Sequence, residues 1–169
     1  MELLLGCGKS RTKYIETLRG KDWAELVTLD CNPAVNPDIV HDLNIHPLPF
    51  SNNMFDEIHS YQVLEHLGSL GDYRFFFSEF NEYWRILKPG GLFVASTPLP
   101  QSSIMWSDPG HTRPVTPEML YFLADDRVRE EPDNSMMTDY GAIRKCNFEM
   151  LNMIIDNEWS FNFIMAAVK

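Results

Sequence analysis

Glu2-Leu3-Leu4-Leu5-Gly6-Cys7-Gly8, followed some twenty residues later by Val27-Thr28-Leu29-Asp30, decides the fold class. An apolar strand runs straight into a glycine-rich turn, and a second apolar strand ends in a carboxylate. In an open α/β sheet this places a turn without bulky side chains and an acid at the carboxyl ends of neighbouring strands, where nucleoside-type ligands bind. Gly6 and Gly8 permit positive φ and close ligand approach. Asp30 can accept hydrogen bonds from both hydroxyls of a ribose.

Three ligand classes use such a turn. A dinucleotide fingerprint needs a third glycine at position 11, where Arg11 stands. Gly8-Lys9-Ser10 matches the end of a phosphate-binding P-loop, but Leu3 occupies the place of its first glycine. S-adenosylmethionine (SAM) has a ribose and no phosphates, so it needs the turn and the acid without an anion cradle. The residues fit that class best.

Further segments follow in order. They are Asp38-Ile39-Val40-His41-Asp42-Leu43, Pro47-Leu48-Pro49-Phe50, Phe55-Asp56-Glu57-Ile58 and Val63-Leu64-Glu65-His66-Leu67. Arg85-Ile86-Leu87-Lys88-Pro89-Gly90-Gly91 and Asp108-Pro109-Gly110-His111-Thr112-Arg113 complete the set. With these segments, residues 2–123 resemble a class I SAM-dependent methyltransferase of the small group related to the ubiquinone and menaquinone methyltransferases. The resemblance implies a Rossmann-like α/β fold: a mostly parallel sheet, helices on both faces and a C-terminal antiparallel hairpin. It implies methyl transfer from SAM to a small or medium acceptor, with S-adenosylhomocysteine as product. The alternative is a degenerate SAM-binding module acting through a partner.

By the same resemblance Gly6, Cys7, Gly8 and Gln62 line the methionine part of SAM, and Asp30 with Cys31 lies at the ribose. Asp42 and the Leu43 backbone lie at the adenine. Simple packing is the competing reading for the two cysteines, a turn cap for Asp42 and a solvated loop side chain for Gln62. His111 and Arg113 follow strand five on a loop expected to face the acceptor. His111 is either a general base or a brace of that loop, and Arg113 is a substrate-binding candidate. An H-x-x-E-H zinc pattern would need histidine at position 62, where Gln62 stands; no metal is expected, and Glu65 and His66 are read as bracing a helix start.

Two departures from the family pattern stand out. Leu4 replaces an acid common within strand one, and Ser10 replaces a third glycine. No counterpart is expected here of the helical segment that commonly precedes strand one in the family. The SAM site is therefore expected to be open, or covered by residues 98–113, residues 124–147 or another subunit, a homodimer included.

The 169 residues suit a single domain, residues 1–169, with 44% hydrophobic residues for its core. Net charge is −10, which disfavours nucleic acid as a partner because phosphate contacts supply most non-specific affinity. No apolar run approaches a membrane span, no signal peptide is read, and three cysteines without metal spacing suit a reducing, cytoplasmic setting.

The periodicity predicts strands over residues 2–5, 25–29, 38–40, 57–61 and 92–96. It predicts helices over 12–18 and 75–87, a helix start at Thr116-Pro117, and a hairpin over 148–155 and 160–168. Residues 124–147 are the least periodic stretch and read equally as a surface loop or a lid.

Overall fold

The four residues of β1 (Glu2–Leu5) are all buried, as befits a strand flanked on both edges. The computed structural model describes residues 1–124, 138–156 and 158–169. β1 pairs in parallel with β2 (Leu26–Asp30) and β4 (Phe55–Tyr61). β3 (Ile39–Val40) extends the sheet beyond β2, and β5 (Leu87–Pro98) runs parallel to β4. The strands β6 (Phe148–Asp156) and β7 (Ser160–Ala167) form the antiparallel end. The sheet order is β3-β2-β1-β4-β5-β7-β6, a mostly parallel sheet with an antiparallel edge, as the sequence predicts.

One face of the sheet is covered by α1 (Tyr73–Ile86). Asp72 caps its first turn by accepting from the Phe75 N–H at 3.0 Å. Phe76, Phe80 and Tyr83 recur at helical spacing and are buried, and Tyr83 stacks on Phe93 of β5 at 4.8 Å. Leu87 leaves the helix directly into β5. Residues 89–91 are therefore a bulge inside the strand, between the pairs Phe55–Leu87 and Glu57–Leu92.

The opposite face differs from expectation. No helix forms over residues 12–18. Thr17 and Gly20 instead form an antiparallel bridge, with Gly20 at φ +97°. Ile15 and Leu18 mimic an apolar stripe, but the sheet beneath is polar and Leu18 is fully exposed. In the β1–β4 register Glu2 stands beside Glu57 and Leu4 beside His59. Lys13 inserts its ammonium 3.2 Å from Glu2 and 2.8 Å from Glu57, and Thr17 donates to Glu57 at 2.6 Å. His59 bonds Glu57 at 2.9 Å, and Trp23 packs edge-on against His59. Specific buried polar bonds thus hold this crossover where an apolar helix face would otherwise do so.

Two short helices complete the described residues: α2 (Ser103–Ser107) and α3 (Pro117–Tyr121), the latter capped by Thr116 as its sequence predicts. Residues 125–137 of the loop-or-lid segment lie outside the described residues. No described helix is long and apolar enough to cross a membrane.

Candidate active site

The turn after β1 is shaped by its glycines. Gly6 has φ +55°, and a Cβ there would lie 2.5 Å from Val63 Cγ2. Gly8 has φ +50°, and its missing Cβ would meet no atom within 4 Å. The first glycine is imposed by packing against the loop after β4. The second keeps space open above the sheet.

That space is a cleft of about 540 Å³, within the usual range for small-molecule sites. Gly6, Cys7, Gly8 and Gln62 line it, together with Leu4, Tyr14, Tyr61 and Ser96. Its far side is closed by Ser160 and Asn162 of β7. Gln62 adopts φ +55°, a conformation costly for a side chain with a Cβ and concentrated at functional positions. Its backbone N–H bonds the Ser96 carbonyl at 2.9 Å, and its amide donates to Ser96 Oγ at 3.2 Å.

Asp30 is not in the cleft lining but is bonded to Gly8, which is. Oδ2 accepts from the Gly8 N–H at 2.8 Å and Oδ1 from the Asn32 N–H at 2.8 Å. Each carboxylate oxygen keeps a second acceptor direction for a ligand. The acid expected at a ribose therefore also ties the glycine turn to the end of β2. Cys7 is buried, and burial pushes its thiol above the usual range. Cys31 is exposed beyond Asp30.

The adenine-side candidates stand off the cleft. Asp42 Oδ1 accepts from the Asn44 N–H and side-chain amide at 2.9 and 3.0 Å, the turn-cap arrangement. These bonds hold its carboxyl below the usual range. Leu43 is a core residue.

His111 and Arg113 lie apart from the cleft lining. Arg113 is buried in an ion pair with Glu79, over the rings of Phe75 and Phe76, and lines a separate cavity of about 230 Å³ together with Tyr73 and Phe77. The loop follows β5 closely enough to be strapped to the turn after β4, where Thr112 and Arg113 N–H groups bond the Glu65 carbonyl at 2.8 and 3.3 Å. His111 Nδ1 bonds the Met105 carbonyl at 3.0 Å and the ring packs edge-on against His66, 4.6 Å between centroids. Glu65 is fully buried, and burial raises its carboxyl to about 7. Glu65 and His66 do not brace a helix start; they form a 3-10 turn, and α1 begins later under its Asp72 cap.

Sequence reasoning missed Tyr14, Tyr61, Ser96, Ser160 and Asn162 as cleft residues. The available signal was Ser160 and Asn162, polar at alternate positions of the otherwise apolar β7.

Residues 3–95 match the profile of a family described as Methyltransferase domain. Among solved structures, the chain is similar to a SAM-dependent methyltransferase from Archaeoglobus fulgidus, at 19% identity and TM-score 0.60, over 98% of this chain and 85% of that one. It is similar to the N-methyltransferase NodS from Bradyrhizobium japonicum at 13% identity and TM-score 0.60, over 99% and 85%. A complex of the Haloferax volcanii Trm112 methyltransferase activator with a methyltransferase gives 16% identity and TM-score 0.57, over 99% and 82%. A search of curated proteins finds no match.

Proposed function

The chain belongs to the methyltransferase domain family, and from that premise we propose that it is a SAM-dependent methyltransferase acting on a small or medium acceptor. The observation that carries this reading is the cleft under the Gly6-Cys7-Gly8 turn, with Asp30 bonded to Gly8 of its lining. SAM fits the donor set: an open side at Gly8, a carboxylate with acceptor capacity to spare, and no phosphate cradle. When bound, SAM supplies an electrophilic methyl group on a sulfonium. Gly6, Cys7, Gly8 and Gln62 would hold its methionine part, and Asp30, with Cys31 beside it, its ribose. Asp42 would reach the adenine through Oδ2, since both of its turn bonds fall on Oδ1. Much of the rate in such a displacement can come from alignment of the two reactants. The chain's contribution is then to fix the donor against the cleft floor and to exclude water.

The test is calorimetry with S-adenosylhomocysteine against ATP with magnesium, followed by an acceptor screen with labelled SAM. Binding of S-adenosylhomocysteine alone is expected. Tight ATP binding without it would return the Gly8-Lys9-Ser10 phosphate reading. A second reading, activity only with a partner chain, is favoured by the apolar groups exposed around the sheet, among them Leu18, Ile154 and Trp159. S-adenosylhomocysteine binding without turnover of any acceptor would support it, and turnover by the chain alone would exclude it.

A further inference from the structure

Between the turn after β4 and the loop after α2 lies a cluster that the SAM reading does not use. One ligand atom from each of Glu65, His66 and His111 stands within 4.8 Å of the other two. The arrangement is built. His66 Nδ1 is 3.1 Å from the Gly110 carbonyl, and His111 Nδ1 is 3.0 Å from the Met105 carbonyl. A carbonyl only accepts, so each ring donates Nδ1–H and keeps its lone pair on the other nitrogen. Metal-ligating imidazoles are oriented in this way, by donating their second nitrogen to a carbonyl or carboxylate. Glu65 supplies the third group. Its side chain is fully buried, Oε2 accepts from Thr97 at 3.3 Å, and Oε1 has no hydrogen-bond partner among the described residues. A buried carboxylate oxygen left unpaired is costly, and a cation would offset that cost.

We propose that Glu65, His66 and His111 form a divalent transition-metal site. Two imidazoles and one carboxylate suit zinc, cobalt or a similar ion; magnesium and calcium prefer an all-oxygen shell. Ligand atoms about 2.0–2.1 Å from a tetrahedral ion stand roughly 3.4 Å apart, so the cluster contracts by no more than about 1.4 Å on binding. The loop bearing His111 can supply this movement, because residues 108–110 are exposed while the Thr112 N–H anchors it to the Glu65 carbonyl. Asp108 Oδ2, 3.8 Å from His111 Nε2, offers a further carboxylate at the mouth. Three protein ligands leave a coordination position for water or, on the methyltransferase reading, for an oxygen or nitrogen of the acceptor. The only other comparable cluster among the described residues, Glu2, Glu57 and His59, carries no such proposal, since the Lys13 ammonium already neutralises it.

The absence of an H-x-x-E-H pattern does not bear on this site. Its second imidazole comes from a residue 45 positions after His66, delivered by the Thr112–Glu65 backbone bond.

Zinc titration by calorimetry on metal-stripped protein should give one ion per chain. Cobalt should give the visible d–d absorption of a nitrogen and oxygen site, without thiolate charge transfer. His66→Ala alters an exposed ring and should preserve the fold by circular dichroism. It should weaken zinc binding by more than about 100-fold, because losing even a group that only orients a ligand costs roughly 10–100-fold. His111→Ala and Glu65→Gln should do the same. No zinc binding by the wild-type chain would overturn the proposal. So would unchanged binding in folded His66→Ala, or a cobalt thiolate band that disappears in Cys31→Ser. Binding of S-adenosylhomocysteine by the same samples is read separately. A chain that binds it but no metal refutes this site and leaves the methyltransferase reading standing.

Discussion

Replacing Asp30 by alanine separates two roles that the structure gives to one carboxylate. It removes the acceptor of the Gly8 and Asn32 N–H groups, both at 2.8 Å. Asn32 is exposed, so water takes over that bond at little cost. The Gly8 bond is half-buried, and its loss should lower stability by about 1–2 kcal/mol. The same change removes the ribose acceptor. A hydrogen bond to a charged group contributes about 1.5–3 kcal/mol, so S-adenosylhomocysteine should bind roughly 10- to 150-fold more weakly. Asp30→Asn keeps one neutral oxygen for the turn and should retain most of the stability while losing the charge-assisted ribose contact. Calorimetry for binding and urea unfolding for stability read the two roles independently. An unchanged dissociation constant in folded Asp30→Ala would show that the ribose is held elsewhere, and the assignment of the cleft would fail with it.

Three further outcomes are expected. Gly6→Ala combines an unfavourable φ with a Cβ 2.5 Å from Val63 and should cost about 2–4 kcal/mol in urea unfolding, partly recovered by Val63→Ala; an unaffected midpoint would refute the packing argument. Gly8→Ala should cost only the backbone term of about 1–2 kcal/mol while weakening S-adenosylhomocysteine, and intact affinity would place the ligand away from that turn. Lys13→Met leaves Glu2 and Glu57 buried without their cation and should cost about 3–5 kcal/mol by the same assay, a loss that a solvated Lys13 would not produce.

The acid limb of stability should report Glu57. Burial alone would raise its carboxyl, but hydrogen bonds from His59, Lys13 and Thr17 outweigh that effect and hold it at about 2 against an ordinary 4.5. A depressed folded value gives stability that is complete above 4.5 and is lost as pH falls towards 2. Glu57→Gln should flatten the dependence of unfolding free energy on pH in that window. An unaltered slope would assign acid unfolding to other carboxylates.

The parts of this fold that are legible in the sequence are those decided by short-range pattern. β1 is announced by three leucines before a glycine, and α1 by Phe76, Phe80 and Tyr83 on one face. The glycine turn and Gln62 converge on one cleft as their positions at strand ends suggest. The crossover after β1 is not legible. Ile15 and Leu18 carry helical spacing, while the bonds that decide its path run from Lys13 and Thr17 to Glu57, about forty residues away. The cleft floor depends on the pairing of Ser96 with Asn162, a register no local pattern reveals. The ion pair of Arg113 with Glu79 of α1, thirty-four residues earlier, is another contact that no local pattern reveals.

The Glu2–Lys13–Glu57–His59 network also constrains how this chain can change over generations. An apolar set of similar volume could fill the same space and would often be as stable or more so. No single substitution reaches it, because each first step strands a charge in the interior, and neighbours in one network do not add independently. These positions therefore behave as one heritable unit. A chain of this lineage that has lost Lys13 should also have lost the acids at positions 2 and 57, and only such a chain would be at liberty to rebuild the crossover as a helix.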